Sequence, residues 1–153
     1  MKMNSGTKDT DLRLPRPRAE LFAHGADVGV RGIAHSREGA FEQAAIALSG
    51  VVTDVANIRA QKVVEVDCEA PDDALLLVDW LNALIYRMAV DCMLFGRFCV
   101  HLDGHRLHAE VWGEPVDRAR HAPAVEPKGA TYTALKVTCA PDGIWTAQCV
   151  VDV

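Results

Sequence analysis

The stretch VEVDCEAPDDALLLVDWLNALIYRM, residues 64–88, changes its period once, and that change decides the fold class. Val64, Val66 and Cys68 alternate with Glu65, Asp67 and Glu69, the pattern of a strand with one face buried and the other in water. Pro71-Asp72-Asp73 ends that alternation and predicts a helix start, with proline near its first turn and carboxylates at the positive end of its dipole. Leu77, Trp80, Leu81, Leu84 and Met88 then recur at helical spacing, and Leu75, Leu76, Val78 and Ile85 widen the apolar stripe. A half-buried strand running straight into a broadly apolar helix calls for a sheet with helices laid over one face.

The same two periods recur outward from this stretch. Upstream, Phe41, Ala44, Ala45, Leu48 and Val52 predict an amphipathic helix over 37–50, capped by Ser36 and ending near Gly50. Gly39 in its first turn costs about 1 kcal/mol against alanine, so tertiary packing must hold this helix. The wider stripe of the later helix predicts that it is the more buried of the two. Leu21-Phe22-Ala23 reads as a short strand, and Val28, Val30 and Ala34 as a second. Downstream, 98–102 and 107–111 flank Asp103-Gly104 as a hairpin, and 131–139 and 144–153 flank Pro141-Asp142-Gly143 as another. Residues 114–128, with Pro115, Pro123, Pro127 and several charges, read as a long surface loop. The sum is about seven strands and two main helices: an α+β, two-layer sandwich with a mostly antiparallel or mixed sheet. Residues 1–18 lack periodicity and end in Pro15-Arg16-Pro17-Arg18, predicting a flexible N-terminal tail before a single domain over 19–153.

Composition narrows the function classes. The chain has 153 residues, half of them apolar, which suits a soluble globular domain with a real core. The most apolar run, 74–90, is interrupted by Asp79, Asn82 and Arg87 and is too polar to span a membrane. No apolar segment resembling a signal peptide opens the chain, so the cytoplasm is the expected location. A formal charge of −5 argues against strong direct binding to nucleic acid. Five cysteines without a C-x-x-C pair suggest free thiols rather than a zinc site or disulfide framework.

The end of the sequence carries the most distinctive chemistry. On the last strand Trp145, Ala147, Cys149, Val151 and Val153 fall on one face, and Ile144, Thr146, Gln148, Val150 and Asp152 on the other. The Asp152 side chain and the α-carboxylate of Val153 are covalently held close together. Adjacent anions repel unless a cation bridges them, which makes a candidate site for a hard metal. The alternative is a pair of carboxylates standing in water. A metal-dependent hydrolase using Asp27 and Asp152 lacks an accompanying G-x-S-x-G, H-E-x-x-H or paired base and nucleophile.

Several stretches resemble the archease family. They are His24-Gly25-Ala26-Asp27-Val28-Gly29-Val30, Ala40-Phe41-Glu42-Gln43-Ala44-Ala45, Trp80-Leu81-Asn82-Ala83-Leu84-Ile85-Tyr86, and Gly113-Glu114-Pro115. Arg120-His121-Ala122-Pro123, Lys128-Gly129-Ala130-Thr131-Tyr132, Trp145-Thr146-Ala147-Gln148 and Asp152-Val153 follow in family order. The resemblance implies a non-catalytic activator of an RtcB-type RNA ligase, active in tRNA splicing and RNA repair. Such an activator promotes GTP-dependent guanylylation of a ligase histidine and sustains turnover. It also implies a divalent cation, calcium in the family with magnesium or manganese as alternatives, held by Asp27, Asp152 and the Val153 carboxylate. Lys128 matches a lysine tied to ligase activation, a solvated loop lysine being its alternative, and His24 reads either as a structural histidine or as an orienter of Asp27. The chain departs from the family pattern at Ala23, Gly25 and Thr133, and Gly25 is expected to loosen the loop that aims Asp27. A general protein-interaction or chaperone-like module without ligase specificity shares the same composition and fold class.

Overall fold

A computed structural model of the protein describes residues 16–153. In chain order the elements are β1 (Arg18–His24), β2 (Asp27–Ala34), α1 (Arg37–Val52), β3 (Lys62–Glu69), α2 (Asp73–Asp91), β4 (Met93–Asp103), β5 (Arg106–Pro115), α3 (Arg118–His121), β6 (Gly129–Ala130), β7 (Lys136–Cys139) and β8 (Trp145–Asp152). A 3₁₀ turn, Val55–Asn57, follows α1. The fold is α+β and every strand pairing is antiparallel. The strands divide between two sheets: β1-β2-β8-β6, with β7 also on β8, and β3-β5-β4. The expected tail lies outside the described residues for 1–15, and Arg18 opens β1 opposite Ile33.

Each of the two long helices, α1 and α2, touches both sheets and so closes the core between them. The helix α1 lies on β2 and reaches β4, while α2 lies on β3 and reaches β6. Trp80, fully buried on α2, bolts the helices together by donating its indole N–H to the Phe41 carbonyl at 3.0 Å. Its ring meets Phe98 of β4 edge-on, 6.1 Å between centroids. Contrary to the sequence expectation, α1 is the more buried helix. It buries nine of its sixteen residues, whereas α2 leaves Tyr86 and Val90 in solvent. The reason is the alanine-rich face of α1, which lets β2 approach to the point where a Cβ on Gly32 would sit 2.1 Å from the Ala40 carbonyl oxygen.

Local chemistry explains the element boundaries. Ser36 caps α1 by accepting from the Gly39 N–H at 3.0 Å. The helix runs through Gly50 to Val52 and ends at extended Thr53. Asp72 caps α2 by accepting from the Leu75 N–H, so Pro71 precedes the cap rather than entering the first turn. The strand expected over 131–139 is interrupted. Thr131 donates both its N–H and its hydroxyl to the Val150 carbonyl, and Gln148 donates to the Ala134 carbonyl. Residues 131–135 thus meet β8 through irregular backbone and side-chain bonds rather than a regular ladder, leaving β6 and β7 on either side.

Candidate metal centre

One tight hairpin and two strand pairings bring the predicted site residues to one end of the five-stranded sheet. The hairpin joining β1 to β2 has the two-residue loop Gly25-Ala26, closed by the pair His24↔Asp27. Gly25 takes φ +59° there, the left-handed conformation that the first position of a tight hairpin turn favours. Gly25 therefore suits the tight turn that leads into Asp27. On the other side of β2, the pairing with β8 ends at Val28↔Val151, and one further step sets Asp27 opposite Asp152. Next along, β6 places Gly129 opposite Asp152, and the Lys128 N–H donates to the Asp152 carbonyl at 2.8 Å.

His24, Asp27, Asp152 and Gly129 thus form one row across four strands. Alternation puts this row on the sheet face away from α1, since Val30, Ala147, Cys149 and Val151 fill the core side. Asp27 accepts from the Val153 N–H at 3.3 Å, tying the hairpin to the end of β8. His24, Lys128 and the Asp152 side chain are exposed, whereas Asp27 and Val153 are half-buried. The arrangement brings Asp27, Asp152 and Val153 together, with the Lys128 backbone one strand away. Among the described residues, His24 and Asp27 are joined as cross-strand partners, with no side-chain hydrogen bond between them.

All-oxygen, anionic donors fit a hard divalent cation better than zinc. Two aspartates would supply part of a calcium shell, and main-chain oxygens and water complete such shells. The fit is therefore to an open, oxygen-rich site rather than a closed cage.

Sequence reasoning missed one support of this edge and one buried anchor elsewhere. Asn82 of α2 accepts from the Ala130 N–H at 2.8 Å and so fixes β6, from which Lys128 leads. The segment read as a surface loop is pinned from inside by Glu114, which is 2% exposed. Glu114 accepts from the Arg59 N–H at 2.7 Å, from Arg120 at 2.9 Å and from His121 Nε2 at 3.0 Å. The hydrogen bond from Arg120 comes first in holding its carboxyl down at about 2. His121 Nδ1 accepts from the Asp117 N–H, which leaves Nε2 as the protonated nitrogen facing Glu114. Gly113-Glu114-Pro115 and Arg120-His121 were visible in the sequence, but no spacing rule pairs residues across a proline-containing connection.

Comparison with known proteins gives this geometry a family. The model of the Archease protein family (MTH1598/TM1083) matches residues 20–153. Protein archease of Pyrococcus abyssi is 37% identical over 140 residues, covering 89% of this chain and 99% of that protein. Protein archease of Methanosarcina barkeri is 34% identical over 139 residues, covering 88% and 94%. The solution structure of Methanobacterium thermoautotrophicum protein 1598 superposes with a TM-score of 0.73 at 28% identity, covering 88% of this chain and 98% of that one. No helix among the described residues is long and apolar enough to cross a membrane. By its family match and by its likeness to these proteins over most of its length, the chain belongs to the archease family.

Proposed function

We propose that this protein is a non-catalytic activator of an RtcB-type RNA ligase, working in the cytoplasm in tRNA splicing and RNA repair. It promotes GTP-dependent guanylylation of the ligase histidine and keeps the ligase turning over. The observation that carries this reading is the juxtaposition of Asp27 and Asp152 at an exposed sheet end, with Lys128 beside them. Its activity as an archease rests on the family, and the residue roles rest on that geometry.

Asp27, Asp152 and the Val153 carboxylate hold a divalent cation, calcium first and magnesium or manganese as its alternatives. When bound, it supplies concentrated positive charge at the sheet end. Lys128 presents an ammonium group in solvent, suited to an anionic group on the ligase. The Gly25 turn and Asn82 keep the two flanking strands in register. A net charge of −5 directs the protein to a protein partner rather than to RNA itself.

Ligation of RNA ends with the RNA in large excess over a competent RtcB-type ligase tests the reading. Added protein should raise the number of joined ends per ligase well above one, and Lys128→Ala should lower that number. Association with many unrelated proteins, with no gain in ligation, would favour the general interaction module instead.

A further inference from the structure

The three-stranded sheet carries a second cluster of ligating side chains, far in sequence from Asp27 and Asp152. Three rows cross its outer face: Val63, Trp112 and Arg97; then Glu65, Glu110 and Cys99; then Asp67, His108 and His101. The first row is closed by the Arg97 guanidinium over the Trp112 ring at 4.8 Å. The other two place six metal-ligating or carboxylate side chains on one open surface.

Their geometry is specific. Cys99 Sγ lies 3.6 Å from His101 Nε2, and the same nitrogen lies 3.1 Å from Glu110 Oε1. Tetrahedral zinc with its usual bond lengths has S···N edges of about 3.6 Å and N···O edges of about 3.3 Å. Two edges thus already match such a tetrahedron, and the ligand atoms of Cys99, His101 and Glu110 all lie within 4.8 Å of one another. The other Glu110 oxygen is held by His108 Nε2 at 2.9 Å, and His108 Nδ1 is held by Asp67 at 2.8 Å. This carboxylate–histidine–carboxylate chain fixes the ligating glutamate, as outer partners do in metal sites.

We propose that Cys99, His101 and Glu110 form a zinc-type transition-metal site, with water as the fourth ligand and His108 and Asp67 as positioning residues. The mixed sulfur, nitrogen and oxygen donors select zinc or cobalt over calcium and magnesium, the opposite preference to the oxygen donors at Asp27 and Asp152. Binding breaks the Cys99 S–H bond and forms a metal–sulfur bond, and the proton leaves to solvent. Thiolate and carboxylate then neutralise the 2+ charge of the ion. Metal uptake therefore competes with the thiol proton and strengthens as pH rises. The site is independent of the ligase reading.

Cobalt(II) is the probe, because thiolate coordination gives it an intense charge-transfer absorption. The full chain carries Cys92→Ser, Cys139→Ser and Asp152→Asn, removing the exposed thiols and the carboxylate at the other candidate site. The titration is run in excess calcium. One equivalent should bind with the charge-transfer band, zinc should displace it, and zinc should raise the midpoint of thermal unfolding. Cys99→Ser should abolish the band, His101→Ala should weaken binding more than tenfold, and His108→Gln should weaken it about tenfold. No band at one equivalent, or an unchanged band and affinity in both Cys99→Ser and His101→Ala, would overturn the proposal. Thermal unfolding without metal shows that each variant is folded.

Discussion

Replacing Glu114 by alanine should be among the most damaging single changes in this protein, for reasons that lie outside the candidate metal centre. The Glu114 side chain is 3% exposed, and it answers three donors: the Arg59 N–H, the Arg120 guanidinium and the protonated Nε2 of His121. Glu114→Ala leaves the His121 Nε2–H buried without an acceptor. It also strips Arg120 of its close partner, with Asp117 remaining at 3.9 Å. Breaking a buried pair from one side costs about 3–5 kcal/mol. Arg120 is 29% exposed and also donates to the Asn57 carbonyl, which places the loss near the lower end, about 3 kcal/mol. For a domain of this length that corresponds to a fall of roughly 10 °C in Tm.

Glu114→Gln keeps one acceptor and the shape, and should lose less, about 1–2 kcal/mol. The sign of the pH dependence follows from a carboxyl held at about 2 in the folded protein against an ordinary 4.5. Its stabilisation is complete above about 4.5 and fades as pH falls from there toward 2. The gap between native protein and Glu114→Ala should therefore narrow in that window. Urea unfolding at pH 7 and pH 3, with unchanged m values, measures both effects. A loss under 1 kcal/mol at pH 7, or a gap that stays constant down to pH 3, would refute the reasoning.

Gly32→Ala should destabilise by about 2–3 kcal/mol or more, since the added methyl meets the α1 backbone and the strand cannot yield alone. Chemical denaturation measures it, and a change within 0.5 kcal/mol would mean that the helix lies farther from β2. Thiol labelling of the native protein should modify Cys92 and Cys139 first, because both are exposed. Cys149 is fully buried and burial pushes its thiol up to about 11, so it should react only on unfolding. Rapid native labelling of Cys149 would contradict the packing of β8. Asn82→Ala should free the Ala130 N–H and speed amide exchange in Gly129 and Ala130 without unfolding the domain. Unchanged exchange there would remove Asn82 from its supporting role.

The parts of the fold legible in the sequence were those governed by a single period. The alternation from Val64 to Glu69 and the helical stripe from Leu75 to Met88 lie in β3 and α2, and the hairpin across Pro141-Asp142-Gly143 forms with Gly143 at φ +87°. The relative burial of the helices was not legible, because small residues such as Ala40, Ala44 and Gly32 carry close packing without a strong apolar signature. Division of the strands into two sheets depends on long-range partners that periodicity does not reveal.

Sequence separation hid part of the cluster on the three-stranded sheet. The strand bounds 98–102 and 107–111 already set His101 opposite His108 and Cys99 opposite Glu110, but Glu65 and Asp67 join them only through the β3–β5 pairing. The hairpin loop forms at Gly104-His105, with Gly104 at φ +59°. Asp27 and Asp152 were legible through their residues and the family resemblance, whereas their shared row required the β2–β8 register.

GTP-dependent labelling of an RtcB-type ligase tests the central claim most directly, with this protein absent, present, or present as Asp152→Asn. The account predicts faster labelling with the native protein, and a rate close to the ligase alone with Asp152→Asn despite an unchanged fold. Labelling by a competent ligase that the native protein fails to accelerate would contradict the activator role. Equal acceleration by both forms would contradict the place given to the Asp27–Asp152 edge.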